Sequence, residues 1–427
     1  MDPYLPRAID DELRAALIEL PAVAINGPKG VGKTASAERL AATTVRLDDP
    51  AQRELFDADP NRLRAAARPM LIDEWQRSPQ SWDAVRRWVD EGAPAGSVLL
   101  TGSAAPRGAA VHSGAGRIAA LRMRPMSLAE RALVVPTVSL EAMLAGTADI
   151  TGESALTLHD YVEEITASGF PGIRRLSARG RAMQLDAYLD NVVQREFPDQ
   201  GLAVRAPETL RRWLCAYAAA TGTTASYAKI LDAATPGESN KPAKTTTIAY
   251  RDVLHSLWLL DPLDAWAPGA TDLGRLGQGP VHFLADPALA CRLLGVDASD
   301  LREGAFDADP LLSRFGTGYG TLLGRLFEAL VALSVQVYAT HDGARVGHVR
   351  TRNGDHEVDL IVHRGRRVVA LEVKLAPTVS DSDVRHLRWL RDRMGAHLAD
   401  AAVITTGPVA YRRADGIAVI PAALLGP

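Results

Sequence analysis

The stretch Gly27-Pro28-Lys29-Gly30-Val31-Gly32-Lys33-Thr34 decides how the rest of the chain is read. It has the form glycine, four variable residues, then Gly-Lys-Thr. Before it lies an apolar run, Ala22-Val23-Ala24-Ile25, that predicts a short buried strand. After it, Ala35 to Leu40 predicts the first turns of a helix. Strand, glycine-rich loop and helix in that order make a phosphate cradle. The glycines let backbone N–H groups turn inward, and the start of the helix favours negative charge. In such a cradle residues 27 to 34 wrap the phosphates. Lys33 reaches the β- and γ-phosphates, and the Thr34 hydroxyl ligates Mg²⁺. The plain alternative is a glycine-rich turn with an exposed lysine.

Working outward, Asp10 to Leu20 has apolar residues at helical spacing, and Thr44 to Asp48 predicts a second strand. Pro69-Met70-Leu71-Ile72-Asp73-Glu74 is an apolar run ending in two carboxylates, forty positions beyond Lys33. At a strand tip beside a phosphate loop, Asp73 would support the metal and Glu74 would polarise the attacking water. Trp82 to Asp90 predicts an amphipathic helix. Ser97 to Ser103 predicts another buried strand ending in hydroxyls. Thr101 or Ser103 would sense the γ-phosphate there, or simply cap a turn. Arg107 to Gly116 reads as a mobile loop. Beyond it, Arg117 is the first candidate for a cation acting on the γ-phosphate, in its own subunit or a neighbour; a surface arginine is the alternative.

The chain has 427 residues, enough for roughly two or three domains. Apolar residues make up 47%, so a sizeable core is available and global disorder is excluded. A net charge of −3 carries no whole-protein signature of nucleic-acid binding, so any basic surface is local. The two cysteines, Cys215 and Cys291, exclude a disulfide framework and a cysteine zinc site, and fit a reducing compartment. The N-terminus has no apolar segment behind a basic start, and no run of about eighteen apolar residues is apparent. The expectation is a cytoplasmic protein with no membrane partner.

Further along, Pro207 to Trp266 reads as helix, helix, loop, helix, strand, an order that suits a winged helix. Lys229, Lys241, Lys244 and Arg251 would then meet DNA phosphates, or the module would pack only against its neighbours. Leu322 to Val337 predicts a strongly apolar helix interrupted by Glu328. Two strands follow, His356 to Val362 and Val368 to Lys374. Glu372 and Lys374 are two apart and so share a face, while Asp359 lies 13 residues before Glu372, right for two strands joined by a turn. Two carboxylates and a lysine on one face can form a divalent-metal site with a cation beside the nucleophile. A structural Glu–Lys pair is the bland alternative.

Two resemblances follow from these residues. The run from Leu71 to Glu130 includes the acidic pair with Trp75-Gln76, the Thr101-Gly102-Ser103 tip, Gly116-Arg117-Ile118 and Pro125-Met126-Ser127. It resembles the bacterial and archaeal AAA-type (AAA_14) ATPases that carry a C-terminal domain of unknown function, DUF4143. That likeness implies a P-loop ATPase core on a five-strand parallel sheet and a turn at Ser168 to Gly172. It also implies a helical lid whose Arg195 stands where the family has Arg-Asp; this chain has Glu196 in place of the acid that follows. Arg195 becomes a second sensor or finger candidate, the alternative being an ordinary ion pair. Rings of such ATPases imply a homo-oligomer. The pattern Asp359…Glu372-Val373-Lys374 resembles the core of restriction-endonuclease-like nucleases. There Glu328, Asp359 and Glu372 would hold a second divalent metal and Lys374 would orient water or the scissile phosphate. Arg350, Arg352, Arg364, Arg366 and Arg367 would touch the nucleic-acid backbone.

The expected fold class is α/β: a P-loop ATPase core (1–135), a helical lid (136–205), a winged-helix-like region (206–280) and a C-terminal nuclease-like α/β domain (281–427). The expected activity is Mg²⁺-dependent ATP hydrolysis, with ATP and ADP as ligands, coupled to DNA. A nucleotide-controlled protein whose C-terminal domain is an inert docking module for DNA or a protein is the alternative. Structural nucleotide binding without turnover is a third.

Overall fold

The computed structural model describes residues 4–103, 114–202, 207–235, 244–266, 279–304, 309–315, 321–351 and 354–427. The phosphate-loop region is a five-stranded parallel sheet in the order β2-β3-β4-β1-β5, with β1 Ala22–Asn26, β2 Thr43–Arg46, β3 Met70–Asp73, β4 Val98–Gly102 and β5 Ala119–Arg122. Its central strands are nearly continuous apolar runs, as a parallel sheet covered on both faces requires. Successive residues point to opposite faces. Val23, Ile25, Leu71 and Leu99 join one apolar cluster, and Ala22, Ala24, Ile72 and Leu100 join another. The helix Gln80–Asp90 closes the second cluster with Ala84, Val85 and Trp88. The registers set Asn26 beside Gly102 and Asp73 beside Thr101, so the polar tips of three strands end at one edge. Ligands bind at such carboxyl edges in open parallel sheets.

β6 (Val138–Ser139) leads into the helix Leu140–Ala145, which Ser139 caps. The helix Leu158–Ala167 follows behind a Thr157–Asp160 capping box, then the helix Ala178–Asn191, which runs into a π-helical turn, Val192–Glu196. Next come the helices Pro207–Ala219, Tyr227–Ala234 and Lys244–Ser256. Antiparallel bridges Leu260–Leu284 and Leu263–Val281 close the segment. One apolar cluster runs from Leu13 and Ile25 through Trp213 and Tyr217 to Ile404 and Ile420. The middle helices therefore join the two sheets through one apolar cluster.

The C-terminal sheet is mixed and six-stranded, in the order β11-β12-β10-β9-β8-β7. β7 (Arg345–Arg350), β8 (Glu357–Arg364) and β9 (Arg367–Val373) pair antiparallel. After the helix Arg385–Met394, β10 (Leu398–Thr405) lies parallel to β9; β11 (Tyr411–Arg412) and β12 (Ala418–Pro421) complete the sheet. The tight turn between β8 and β9 uses Gly365 at a φ of 61°, as two-residue hairpin turns demand. β13 (Leu425–Gly426) returns to pair with β6. The helix Leu322–His341 contains Arg325 and Glu328, yet its length and mean apolarity are those of a membrane span. By those two measures it qualifies, but 83% of its apolar window is buried within the fold, where it is the core helix of the C-terminal domain.

Candidate nucleotide-binding site

The loop's shape follows from its glycines. A Cβ on Gly27 would lie 2.1 Å from the Met123 carbonyl oxygen, so no side chain fits beside β5. Gly30 and Gly32 have φ values of 81° and 101°, where glycine alone is unstrained. Lys33 opens the helix Lys33–Glu38, yet its side chain is buried and curls back, Nζ donating to the Gly27 and Pro28 carbonyls at 2.9 Å each. Burial pushes its pKa down to about 8, against the pull of Glu74 and Asp73. Thr34 Oγ1 donates to Asp73 Oδ1 at 2.8 Å, and Thr101 Oγ1 donates to the same oxygen at 2.5 Å. Lys33, Thr34, Asp73 and Thr101 thus meet at one sheet edge.

Glu74 sits in the left-handed region at a φ of 54°, uncommon for a residue with a side chain and costly unless the surroundings hold it. Burial raises its pKa, with Lys33 opposing, and Gln76 Nε2 donates to its Oε2 at 2.5 Å. Trp75 and Gln76 pack on the strand tip. A Cβ on Gly102 would stand 2.6 Å from Trp75 Nε1 and 2.7 Å from Gln76 Oε1. Ser103 is buried, and its hydroxyl has no partner among the described residues.

Two cavities flank the loop. One, of about 440 Å³, is lined by Tyr4, Val31, Gly32, Ala35, Arg39 and Pro171, among others. The Arg39 guanidinium lies over the Tyr4 ring, 4.4 Å from its centre. The other, of about 330 Å³, is lined by Lys29, Arg77, Ser103, Tyr188, Arg195 and Glu196, among others. Lys29 is ion-paired with Glu196, tying the loop to the π-helical turn. Arg195 therefore lines the same cavity as Lys29 of the phosphate loop. Arg117 does not within this chain: it pairs with Asp90 at 2.8 Å and donates to the Ala115 carbonyl.

Several residues that support the site carry no motif of their own. Arg7 braces the loop, donating to the Val31 carbonyl at 2.7 Å and pairing with Glu130 at 3.0 Å. Glu130 in turn accepts from the N–H groups of Ser127 and Ala8. Ser127-Leu128-Ala129-Glu130 has the capping-box pattern, a signal that could have marked Glu130. Asp261 is buried between Arg122 at 2.9 Å and Arg124 at 2.7 Å. Burial pushes its pKa up, but the two arginines outweigh this and hold it at about 2. Arg124 also donates to Gln336 of the C-terminal core helix, so this triad locks the strand after the loop to the far domain. The predicted turn at Ser168 is anchored too: Asp286 accepts from Ser168 Oγ at 2.7 Å and from the Gly169 N–H at 2.6 Å.

In the C-terminal domain Glu372 is buried, and Lys374 Nζ donates to its Oε1 at 2.8 Å. Asp359 Oδ2 accepts from the Val373 N–H at 2.7 Å. Burial, then repulsion from Asp359, raises Glu328 and Glu372 well above the carboxylate range; burial also raises Asp359. Glu372 and Asp359 outweigh burial and raise Lys374. These four residues are thus neighbours, Asp359, Glu372 and Lys374 as the strand spacing predicts. Their assignment as a metal-ligand set finds no support in the structure. Among the described residues no group of three or more His, Cys, Asp or Glu could hold a metal ion. The Lys374 ammonium and the Val373 N–H each take one carboxylate oxygen, while Glu372 Oε2 is buried with no partner among the described residues.

The basic residues proposed for DNA are largely committed within the fold. Arg367 donates to the last carbonyls of the helix Leu140–Ala145, Arg364 to the Asp342 carbonyl and Arg350 to Thr224 Oγ1. Arg251 pairs with Asp252 and lies over Tyr227, and Lys229 lies over Phe315. Arg366 is exposed. Lys241, Arg352 and the Lys244 side chain lie outside the described residues.

Residues 19–132 match the AAA domain family, residues 158–300 a domain of unknown function (DUF8612) and residues 323–425 the domain of unknown function DUF4143. The chain is similar to uncharacterized proteins of Mycobacterium tuberculosis and Mycobacterium bovis, each 24% identical over 429 residues that span 96% of this chain and 82% of the relative. Among solved structures, a Walker-type ATPase of Pyrococcus abyssi aligns with a TM-score of 0.40 at 13% identity, over 68% of this chain and 96% of that one. The Aeropyrum pernix ORC2 protein, in ADPNP–ADP complexes, aligns with a TM-score of 0.32 at 15% identity, over 72% of this chain and 97% of that one.

Proposed function

We propose that this chain, a P-loop AAA-type protein with a C-terminal DUF4143 domain, binds ATP with Mg²⁺ and hydrolyses it. The observation that carries this reading is the state of Lys33. It is a buried ammonium bonded, among the described residues, only to loop carbonyls, with its pKa pushed down by burial. A buried cation without a hydrogen-bonded anion is costly, and a phosphate would relieve that cost.

The oxygen donors of Thr34 and Asp73 suit a hard cation, and these are the residues that would hold Mg²⁺. When bound, that ion supplies charge neutralisation of the phosphates. On nucleotide binding Lys33 leaves the Gly27 and Pro28 carbonyls for the phosphate oxygens. Thr101 keeps Asp73 oriented. Glu74 polarises the attacking water and takes its proton, and the raised pKa makes it a better base than an ordinary carboxylate. Ser103, with its free hydroxyl, reports the terminal phosphate, and Arg195 closes from the lid. The cavity beside Tyr4, Ala35 and Arg39 takes the nucleoside.

Hydrolysis and ADP binding by wild type and by Lys33→Ala test this. Loss of both in the variant supports the reading, and an unaltered variant rejects it. For the output of the cycle, the closed Glu372–Lys374 pair favours the C-terminal domain as an inert docking module over a nuclease. The three middle helices and following bridges keep DNA a candidate partner, in a homo-oligomer or ring in the cytoplasm. Stimulation of turnover by double- or single-stranded DNA tests it.

A further inference from the structure

We propose that Arg77 is a catalytic cation for ATP hydrolysis, acting on the terminal phosphate of the nucleotide held by its own chain. This rests on the hydrolase reading above. Arg77 ends the one-turn helix Trp75–Arg77, directly after Glu74. Its N–H donates to the Glu74 carbonyl at 2.9 Å, so its backbone is tied to the residue that polarises water. The turn itself is held firmly. Trp75 is buried against Gly102, and its ring centre lies 4.6 Å from that of Trp82 at a tilt of 39°.

The Arg77 side chain lines the cavity of about 330 Å³ that also meets Lys29 of the phosphate loop, Ser103 past the tip of β4 and Arg195 of the lid. The charge inventory around this cavity is uneven. Lys29 is spoken for by Glu196. Most nearby arginines are likewise committed: Arg7 to Glu130, Arg117 to Asp90, Arg122 and Arg124 to Asp261; Arg195, which lines the cavity too, shares with Arg77 the lack of a side-chain partner among the described residues. Arg77 has no side-chain hydrogen bond or ion pair among the described residues, and Ser103 contributes a buried hydroxyl without a partner to the same wall. A recess with an uncommitted guanidinium and a free hydroxyl, opening onto a phosphate loop, is built for an anion. The terminal phosphate of a nucleoside triphosphate is the anion the loop presents there.

In the step itself, the water oxygen bonds to the γ-phosphorus and the bond from γ-phosphorus to the bridging oxygen breaks. The electron pair stays on ADP, and the water's proton goes to Glu74. Arg77 offsets the charge on the phosphoryl oxygens as this happens. Because the guanidinium comes from the same chain, no neighbouring subunit has to complete the site.

The test uses Arg77→Ala, Arg77→Lys and Lys33→Ala. Arg77 is exposed, so its removal leaves the core intact, which ADP binding checks. The expected result is a kcat lower by about 10²- to 10³-fold in Arg77→Ala, with ADP affinity retained and a partial return in Arg77→Lys. A mixture of Arg77→Ala, which binds nucleotide, with Lys33→Ala, which offers an intact Arg77, should show no more than the sum of the two rates. Wild-type kcat in Arg77→Ala overturns the proposal, as does a raised KM at unchanged kcat. Recovery of activity on mixing overturns the same-chain assignment. A wild-type protein that binds ADP but turns over no ATP marks failure of the hydrolase reading, and the role of Arg77 falls with it.

Discussion

Replacing Lys33 with methionine should stabilise the nucleotide-free protein while destroying its response to nucleotide. The Lys33 pKa falls from 10.5 to about 8, mainly through burial. At ~1.4 kcal/mol per unit, the charged form costs the folded state about 3 kcal/mol. The folded pKa lies below the unfolded one, so the folded chain gives up this proton first. The penalty is full below about pH 8 and gone above the ordinary lysine range. Methionine removes it but leaves the Gly27 and Pro28 carbonyls without their donor, at ~1 kcal/mol each. The net expectation at pH 7 is a gain of about 1 kcal/mol, a rise of one or two degrees in melting temperature. ADP at a hundred times its Kd should add ~2.7 kcal/mol to wild type and nothing to the variant. Thermal unfolding with and without Mg·ADP measures both. A variant destabilised by more than about 2 kcal/mol, or one still raised by ADP, would refute the reasoning.

Gly27→Ala drives a Cβ into the Met123 carbonyl and should destabilise the fold by about 2–4 kcal/mol with loss of ADP binding, as urea unfolding and titration would record. Asp261→Asn leaves Arg122 and Arg124 buried without their anion, and should cost about 3–5 kcal/mol by urea unfolding. In wild type, Asp261 contributes about 2 kcal/mol that is intact above its ordinary value of 3.8 and lost as pH falls through about 2. Acid unfolding should therefore be shallower in Asp261→Asn over that window. Mn²⁺ titration without nucleotide should give the same isotherm for wild type and Glu372→Gln; a binding step lost in the variant would restore the C-terminal metal site.

How much could be read in advance depended on distance along the chain. The phosphate loop was legible because its chemistry is contained in eight consecutive residues, and the central strands because buried parallel strands are unbroken apolar runs. The nearness of Asp359, Glu372 and Lys374 followed from strand alternation and one tight turn. Ligand geometry did not, because it turned on which donors reach the carboxylates first. Arg117 looked free in sequence and is held by Asp90, 27 positions earlier. Arg7 braces the loop through Glu130, 123 positions away, and Arg124 finds Asp261 at a separation of 137. No local pattern encodes those pairings; they exist only once the sheet and the core helix have packed.

The most direct test of the central claim compares ATP turnover and ATP binding in wild type and Glu74→Gln. The substitution keeps shape and removes the base. Turnover slowed by about 100-fold or more, with ATP affinity retained, is the predicted result. Equal turnover in the two proteins would contradict it, leaving the acidic pair a strand end and the loop a holder of nucleotide rather than part of a catalyst.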